Sequence, residues 1–284
     1  LNLMIIWLAS YPKSGNTWVR SVITSLFKKE QNEIDFKDLH FVRQYPLRSD
    51  FSKFLIDIDD INELSKNWIN SQNIINSDKK LKILKTHYSL CNFQGNYFTD
   101  IKNTFGAIYI VRDPRNIITS INHHFSHKNI TESLKFLFDD NKVLGHSNLK
   151  EKKDNHIITP IASWGTHYNS WKILKKNFLL IKYENLLLNP YNEFNKIIKY
   201  IEKIYNLKFK ESLKNYAIQN NSFKKLKEIE KNKGFEESTL SPDGIRKTFF
   251  NLGPNNNWEK ILSQKIVSQI ENRFKTEMKE IGYL

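Results

Sequence analysis

Three clusters in the chain carry side chains suited to binding and transferring a charged group. In Pro12-Lys13-Ser14-Gly15-Asn16-Thr17-Trp18, one ammonium and two hydroxyls surround a glycine. Glycine lets the backbone turn closely around something small. A loop that opens a helix aims several N–H groups and the positive helix end at one spot. The ligand this pattern predicts is a phosphate-like anion. The common nucleotide loop, G-x-x-x-x-G-K-[ST], sets its lysine directly after the last glycine. Here Lys13 precedes the loop's glycine by two residues, so its charge enters from another side and ordinary ATP hydrolysis is not expected. A plain strand–turn–helix with a surface lysine is the alternative for this string alone.

The second cluster is Arg112-Asp113-Pro114-Arg115-Asn116-Ile117-Ile118-Thr119-Ser120. A guanidinium fork grips a phosphate bidentately, and the Ser120 hydroxyl, eight residues on and helix-borne, completes a cage. Two other readings stay open for this string: Asp113 as the strand-end magnesium ligand of an NTPase, or Arg112–Asp113 as a surface pair. The third cluster is Lys85-Thr86-His87. An imidazole titrates near neutral pH and takes a proton readily, although a lone histidine is more often structural. His123, His124 and His127 invite a metal reading, with 123 and 127 on one helix face. No nearby cysteine or carboxylate completes an obvious site.

The elements that position these clusters read as an α/β pattern. Residues 5–8 form a short apolar run suited to a central parallel strand, ended by Pro12. A helix follows, capped by Asn16 or Thr17, with Val19, Val22, Ile23, Leu26 and Phe27 on its apolar side. Further strands are predicted at 81–84, 107–111 and 178–183, and helices at 116–128, 164–174, 190–204 and 258–281. Ligands in open α/β sheets gather beyond the carboxyl ends of the strands, which is where all three clusters fall. Residues 234–257 form the longest irregular stretch, the signature of a lid or binding loop.

The 284 residues suit one large domain spanning 1–284, and no internal boundary is drawn. Leu1-Asn2-Leu3 ahead of Met4 reads as a remnant or an alternative start without structural meaning. No apolar run reaches the ~20 residues of a membrane span, and no basic segment marks a signal peptide. Cys91 is the only cysteine, which excludes an internal disulfide and fits a reducing cytoplasm. The net charge of +14 calls for an anionic partner. Lysines are spread along the chain and no nucleic-acid motif is visible, so a multiply charged nucleotide explains the charge as well as DNA or RNA would.

Tyr11-Pro12-Lys13-Ser14-Gly15-Asn16-Thr17-Trp18 resembles the 5′-phosphosulfate loop of the sulfotransferases that use 3′-phosphoadenosine 5′-phosphosulfate (PAPS). Their pattern is usually Y-P-K-[SA]-G-T-T-W, with Asn16 the one departure. Arg112 and Ser120 stand at the spacing of the family's 3′-phosphate motif, and Lys85-Thr86-His87 resembles its K-T-H. Tyr183, in Lys182-Tyr183-Glu184, falls where the family's tyrosine approaches adenine. Ser222-Phe223 resembles the segment whose phenylalanine packs on the base, and Trp18 would supply the other aromatic face. His124 matches an aromatic/His stretch that would line the acceptor pocket. Arg246-Lys247 resembles the R-K-G pair that closes on the 3′-phosphate. Thr248 replaces that glycine, and Trp258 lies farther from the pair than in R-K-G-x-x-G-D-W-K, which leaves the lid's path open.

The resemblance covers nearly the whole chain. It implies a three-layer αβα fold with a mostly parallel central sheet, similar to P-loop NTPases. It implies sulfuryl transfer from PAPS to a hydroxyl or amine, leaving adenosine 3′,5′-bisphosphate (PAP), without a metal. His87 would be the general base; Lys13 and Lys85 would stabilise the transferring group. Ser14, Gly15, Asn16, Thr17, Trp18, Arg112, Ser120, Tyr183, Phe223, Arg246 and Lys247 would hold the nucleotide. The acceptor stays open among small alcohols, phenols, amines, lipids and saccharides, with segments 30–80, 131–157 and 234–257 shaping its pocket. No dimer motif is visible and no oligomeric state is inferred. The rivals are a kinase or NTPase using the Lys13 loop, which would need magnesium and ATP, and a nucleic-acid binder driven by charge.

Overall fold

The apolar run near the start extends into strand β1 (Ile5–Ser10), in which every residue is buried. Such a strand suits a sheet covered on both faces. β2 (Lys82–Thr86) pairs with it in parallel, from Ile5 opposite Lys82 to Ala9 opposite Thr86. β3 (Thr104–Val111) and β4 (Phe178–Lys182) complete a four-stranded sheet in the order β2-β1-β3-β4. Helices occupy the connections from β1 to β2 and from β3 to β4, whereas residues 87–103, between β2 and β3, hold none. The result is a central parallel sheet flanked by helices. These details come from a computed structural model describing residues 4–28, 32–145, 157–241 and 243–284. Leu1-Asn2-Leu3, residues 146–156 of the polar stretch at 131–157 and Pro242 of the predicted lid lie outside the described residues.

The chain divides into two compact units, and the division falls within β3 and β4. The first comprises the described residues of 1–11, 42–109 and 139–180. Its core is aromatic: Trp7, Tyr45, Trp68, Tyr88, Phe98 and Trp171 are all buried. Trp7 and Phe98 have ring centroids 5.3 Å apart, and Tyr88 stacks on Phe98 at 4.7 Å. The polar tips find partners. The Trp7 indole N–H donates to Thr104 Oγ1 at 2.8 Å, and the Trp171 indole N–H to the Tyr88 carbonyl at 2.8 Å.

The second unit comprises the described residues of 12–41, 110–138 and 181–284. It holds α1 (Asn16–Phe27), α2 (Pro114–His124), α3 (Pro190–Tyr205) and α4 (Phe223–Lys233). The α1 start differs from the predicted cap: Gly15, in left-handed backbone, is the cap residue, and neither Asn16 nor Thr17 caps with its side chain. α2 stops at His124, earlier than expected, because Phe125 leaves helical geometry and Ser126 is left-handed. The single closing helix expected over 258–281 is three: Trp258–Ile261, Gln264–Arg273 and Lys275–Ile281. Leu262 and Ser263 are extended between the first two, and serine is a favoured residue at a helix start. Among the described residues, no helix is long and apolar enough to cross a membrane.

Candidate functional site

The loop after β1 is wound tightly by two left-handed residues, Lys13 (φ 68°) and Gly15 (φ 98°). Gly15 is needed twice over. A Cβ there would lie 2.5 Å from the Tyr183 ring, and its φ disfavours any L side chain. The α1 helix that follows has no side-chain cap and no acidic residue in its first turn. Its first N–H groups and dipole are therefore left to an outside acceptor. Ser14 is 1% exposed, and its hydroxyl has no hydrogen-bond partner among the described residues. A buried, unsatisfied hydroxyl is costly unless a ligand satisfies it. Together these features fit a phosphate or sulfate group.

Arg112, at the end of β3, reaches back over this loop. Its Nη1 donates to the Lys13 carbonyl at 2.9 Å and to Ser120 Oγ at 3.2 Å. One guanidinium thus joins the Lys13 loop to the Ser120 position on α2. The same guanidinium lies over the Tyr183 ring, 4.4 Å from its centroid. Trp18 packs edge-on against Tyr183 at 6.1 Å and against Phe194 of α3 at 5.5 Å. Burial raises the Tyr183 phenol above its usual range, and the Arg112 charge opposes that. Lys13, Gly15, Trp18, Arg112, Ser120 and Tyr183 therefore form one contiguous group.

Further contacts hold this group in place. Asp113 caps α2 through the Arg115 N–H and accepts the Arg115 guanidinium at 2.7 Å. Burial would lower the Arg115 basicity, but Asp113 and Glu271 hold it above its ordinary value. Glu184 accepts the Asp113 backbone N–H at 2.9 Å and the Tyr283 hydroxyl at 2.7 Å.

In the 234–257 stretch, Arg246 and Lys247 bond within the protein. Arg246 donates to the Phe235 carbonyl at 3.0 Å, and the Lys247 ammonium to the His123 carbonyl at 2.9 Å. The described bonds of both side chains thus go to backbone carbonyls, whereas Ser120 receives the Asn256 side-chain amide at 3.3 Å. The reason is chain length. Gly253 (φ 53°) sits against Phe223, where a Cβ would lie 2.2 Å from the ring, and Trp258 N–H bonds Asn116 Oδ1. The segment that reaches Ser120 is therefore the one leading directly into Trp258, six or more residues after Lys247. Phe223 meets Gly253 and Phe250. Asn256 carried no signal readable from the sequence beyond its nearness to Trp258.

Other residues of the 234–257 stretch approach the Lys13 loop. The Phe249 ring covers the Lys13 ammonium, 3.8 Å from Nζ to centroid, a cation–π contact. Glu237 receives Arg20 at 2.5 Å and the Thr17 hydroxyl at 3.4 Å. His124 lies edge-on to Phe249 at 5.8 Å. The His123/His127 pairing fails because α2 ends at His124. His123 Nε2 instead meets the Thr248 carbonyl, and His127 Nδ1 the Ser133 hydroxyl. Among the described residues, no group of three or more His, Cys, Asp or Glu is placed to hold a metal.

His87 and Lys85 belong to the first unit. The β1–β2 register sets Ala9 opposite Thr86, so Ser10 and His87 come next to each other as the strands end. His87 Nδ1 lies 2.8 Å from the Ser10 carbonyl, which can only accept. That contact places the proton on Nδ1 and makes Nε2 the basic nitrogen of the neutral ring. His167, on the helix Trp164–Trp171, takes a hydrogen bond from Tyr109 at Nδ1 and donates Nε2–H to the His87 carbonyl at 3.1 Å. Burial pushes His167 down to about 3, and the bond to His87 opposes this, so the ring is neutral. Lys85 is buried, with its ammonium donating to Gln44 Oε1 at 3.1 Å. The sequence reading missed His167, whose burial is not visible in its polar neighbours.

A parallel sheet with a tight glycine loop opening an uncapped helix, and an arginine joining that loop to the next helix, defines a P-loop-like αβα protein. The family model described as a sulfotransferase domain matches residues 5–282, and the chain belongs to the sulfotransferase family. Among curated relatives, the 3-beta-hydroxysteroid sulfotransferase of Cavia porcellus is 23% identical over 256 residues, 88% of this chain and 75% of that protein. Sulfotransferase 1E1 of Homo sapiens is 23% identical over 285 residues, 96% of this chain and 83% of that one. Among solved structures, mouse sulfotransferase SULT7A1 complexed with PAP matches with a TM-score of 0.58 at 20% identity, covering 97% of this chain and 84% of that chain. Retinol dehydratase in complex with androsterone and PAP matches with a TM-score of 0.59 at 16% identity, covering 97% and 80%. These structures share the fold of the chain.

Proposed function

We propose that this sulfotransferase, acting as one domain, moves a sulfuryl group from PAPS to an acceptor hydroxyl or amine and releases PAP. The observation that carries the reading is the Arg112 guanidinium, bonded at once to the Lys13 carbonyl and to Ser120. An ordinary ATP site has no use for a second phosphate-gripping arginine and serine set across from its phosphate loop. PAPS has a 3′-phosphate to fill it. The Ser14 hydroxyl, the uncapped start of α1 and the Lys13 ammonium suit the 5′-phosphosulfate.

The chemistry assigns one task to each side chain. His87, with Nε2 as its basic nitrogen, takes the acceptor proton as the acceptor oxygen or nitrogen bonds to sulfur. The bond from sulfur to the bridging oxygen breaks, and PAP leaves with that electron pair. Lys13 and Lys85 stabilise negative charge on the bridging and sulfuryl oxygens, the electrostatic task that magnesium performs in many kinases. Trp18 and Tyr183 offer an aromatic wall to adenine. The names of the relatives, a hydroxysteroid and a flavonol sulfotransferase among them, make alcohols and phenols the first acceptors to screen.

Calorimetric titration with PAP, ADP and magnesium-ATP tests the reading. Micromolar or tighter binding that requires the 3′-phosphate is the expected result. Preference for magnesium-ATP would overturn it in favour of a kinase or NTPase.

A further inference from the structure

The hydrogen-bond inventory around Ser120 is unbalanced in an informative way. A serine hydroxyl has two acceptor positions and one proton to donate. Both acceptor positions of Ser120 are taken, by Arg112 Nη1 at 3.2 Å and by Asn256 Nδ2 at 3.3 Å. A helical serine commonly returns its proton to the carbonyl four residues back. Here that carbonyl, of Asn116, already accepts Asn256 Nδ2 at 2.8 Å. Among the described residues Ser120 receives two hydrogen bonds and donates none.

Asn256 cannot turn its amide around. Its Nδ2 faces the Asn116 carbonyl, which only accepts, and its Oδ1 takes the Thr119 hydroxyl at 2.8 Å. Asn256 is 8% exposed. The loop carrying it is pinned on one side by Gly253 against Phe223 and on the other by the Trp258 N–H on Asn116 Oδ1. The Trp258 ring is held under the Arg115 guanidinium at 4.1 Å.

We infer that Asn256 is a positioning residue for recognition of the donor's 3′-phosphate. By filling the second lone pair of Ser120, it turns that hydroxyl into an obligate donor, aimed beside the Arg112 guanidinium at an acceptor-only group. A phosphate monoester dianion is such a group. A ribose hydroxyl brings neither its charge nor its three acceptor oxygens. The lid thus contributes to 3′-phosphate selectivity through a neutral amide next to Trp258, while Arg246 and Lys247 bond to backbone carbonyls. This inference rests on the PAPS reading above.

The test is calorimetry with PAP and ADP on five proteins: wild type, Asn256→Asp, Asn256→Ala, Ser120→Ala and Asn256→Ala with Ser120→Ala. Asn256→Asp keeps the acceptor for Thr119 but loses both donors. It should lower PAP affinity about tenfold or more while ADP affinity stays within about twofold. Asn256→Ala should cut the PAP-over-ADP preference without adding charge, and it carries the test if the Asp variant does not fold. Adding Ser120→Ala to it should cost less than Ser120→Ala costs alone, because the two act as one unit. A wild type without preference for PAP over ADP would refute the PAPS reading, and this inference with it. A wild type that prefers PAP, with variants keeping that preference or losing ADP and PAP equally, would refute the role of Asn256 alone. Fully additive losses would refute action through Ser120.

Discussion

Arg112 does more at the residue scale than any other side chain of the proposed nucleotide site, because it bonds to the loop, to α2 and to an aromatic face. Arg112→Ala should weaken PAP binding by about 1.5–3 kcal/mol, the scale of a lost charged hydrogen bond. Arg246→Ala, whose guanidinium meets a carbonyl of its own loop, should cost clearly less. Calorimetry on both variants checks the order, and an equal or larger loss for Arg246 would put that residue on the phosphate. Lys13→Ala should lower turnover about a hundredfold or more if its ammonium meets developing charge. His87→Ala should abolish turnover while PAP affinity stays nearly intact. Initial rates with saturating PAPS, read beside PAP affinities, separate the two roles, and a large loss of affinity in the His87 variant would make it a binding residue.

At the scale of elements, the Lys13 loop, proposed to hold the 5′-phosphosulfate, is constrained by its own backbone. Lys13 and Gly15 are both left-handed, and the Tyr183 ring occupies the space a side chain at 15 would need. Gly15→Ala should therefore displace Tyr183 or the start of α1 and reduce PAP affinity at least about tenfold, by a strain cost of roughly 1–3 kcal/mol. Titration of the folded variant checks this, with its near-ultraviolet dichroism confirming intact aromatic packing elsewhere. Binding at wild-type strength would show that the loop tolerates another shape. The lid is pinned likewise: the Glu230 carboxylate accepts the backbone N–H groups of Phe249, at 2.5 Å, and Phe250, at 2.9 Å, placing the Phe249 ring over Lys13.

For the whole molecule, the buried histidine of the first unit links stability to pH. His167 titrates at 6.5 when exposed and is pushed down to about 3 by burial. Because the folded pKa is depressed, its contribution is full above about pH 6.5 and is lost as pH falls toward about 3. Each unit within that window costs about 1.4 kcal/mol. Urea midpoints for wild type and His167→Gln at pH 7, 6 and 5 measure it. The stability gap between them should shrink by that amount per unit below pH 6.5, and a gap independent of pH would mean that His167 is not held neutral. The net charge of +14 acts at the same scale, favouring encounter with a polyanionic nucleotide and making it salt-sensitive.

The order of residues alone was enough for the central strands, the Lys13 loop and the Arg112–Ser120 spacing. Each is written in local terms: apolar runs of β-branched residues, a glycine where the backbone must turn left-handed, and a hydroxyl two helical turns from an arginine. The family was legible from the same strings, and the match over residues 5–282 shows it. Other features waited for the tertiary structure. The lid residue bonded to Ser120 is Asn256, because the chain is anchored by Gly253 on Phe223 and by Trp258 on α2, contacts between residues far apart in sequence. His167 is neutral because burial removes its water, and burial is a property of packing. The end of α2 before His127 depends on a single left-handed residue, Ser126, for which serine carries no local preference. Local chemistry is spelled out by neighbours along the chain, whereas partners, burial and register are decided only when distant segments meet.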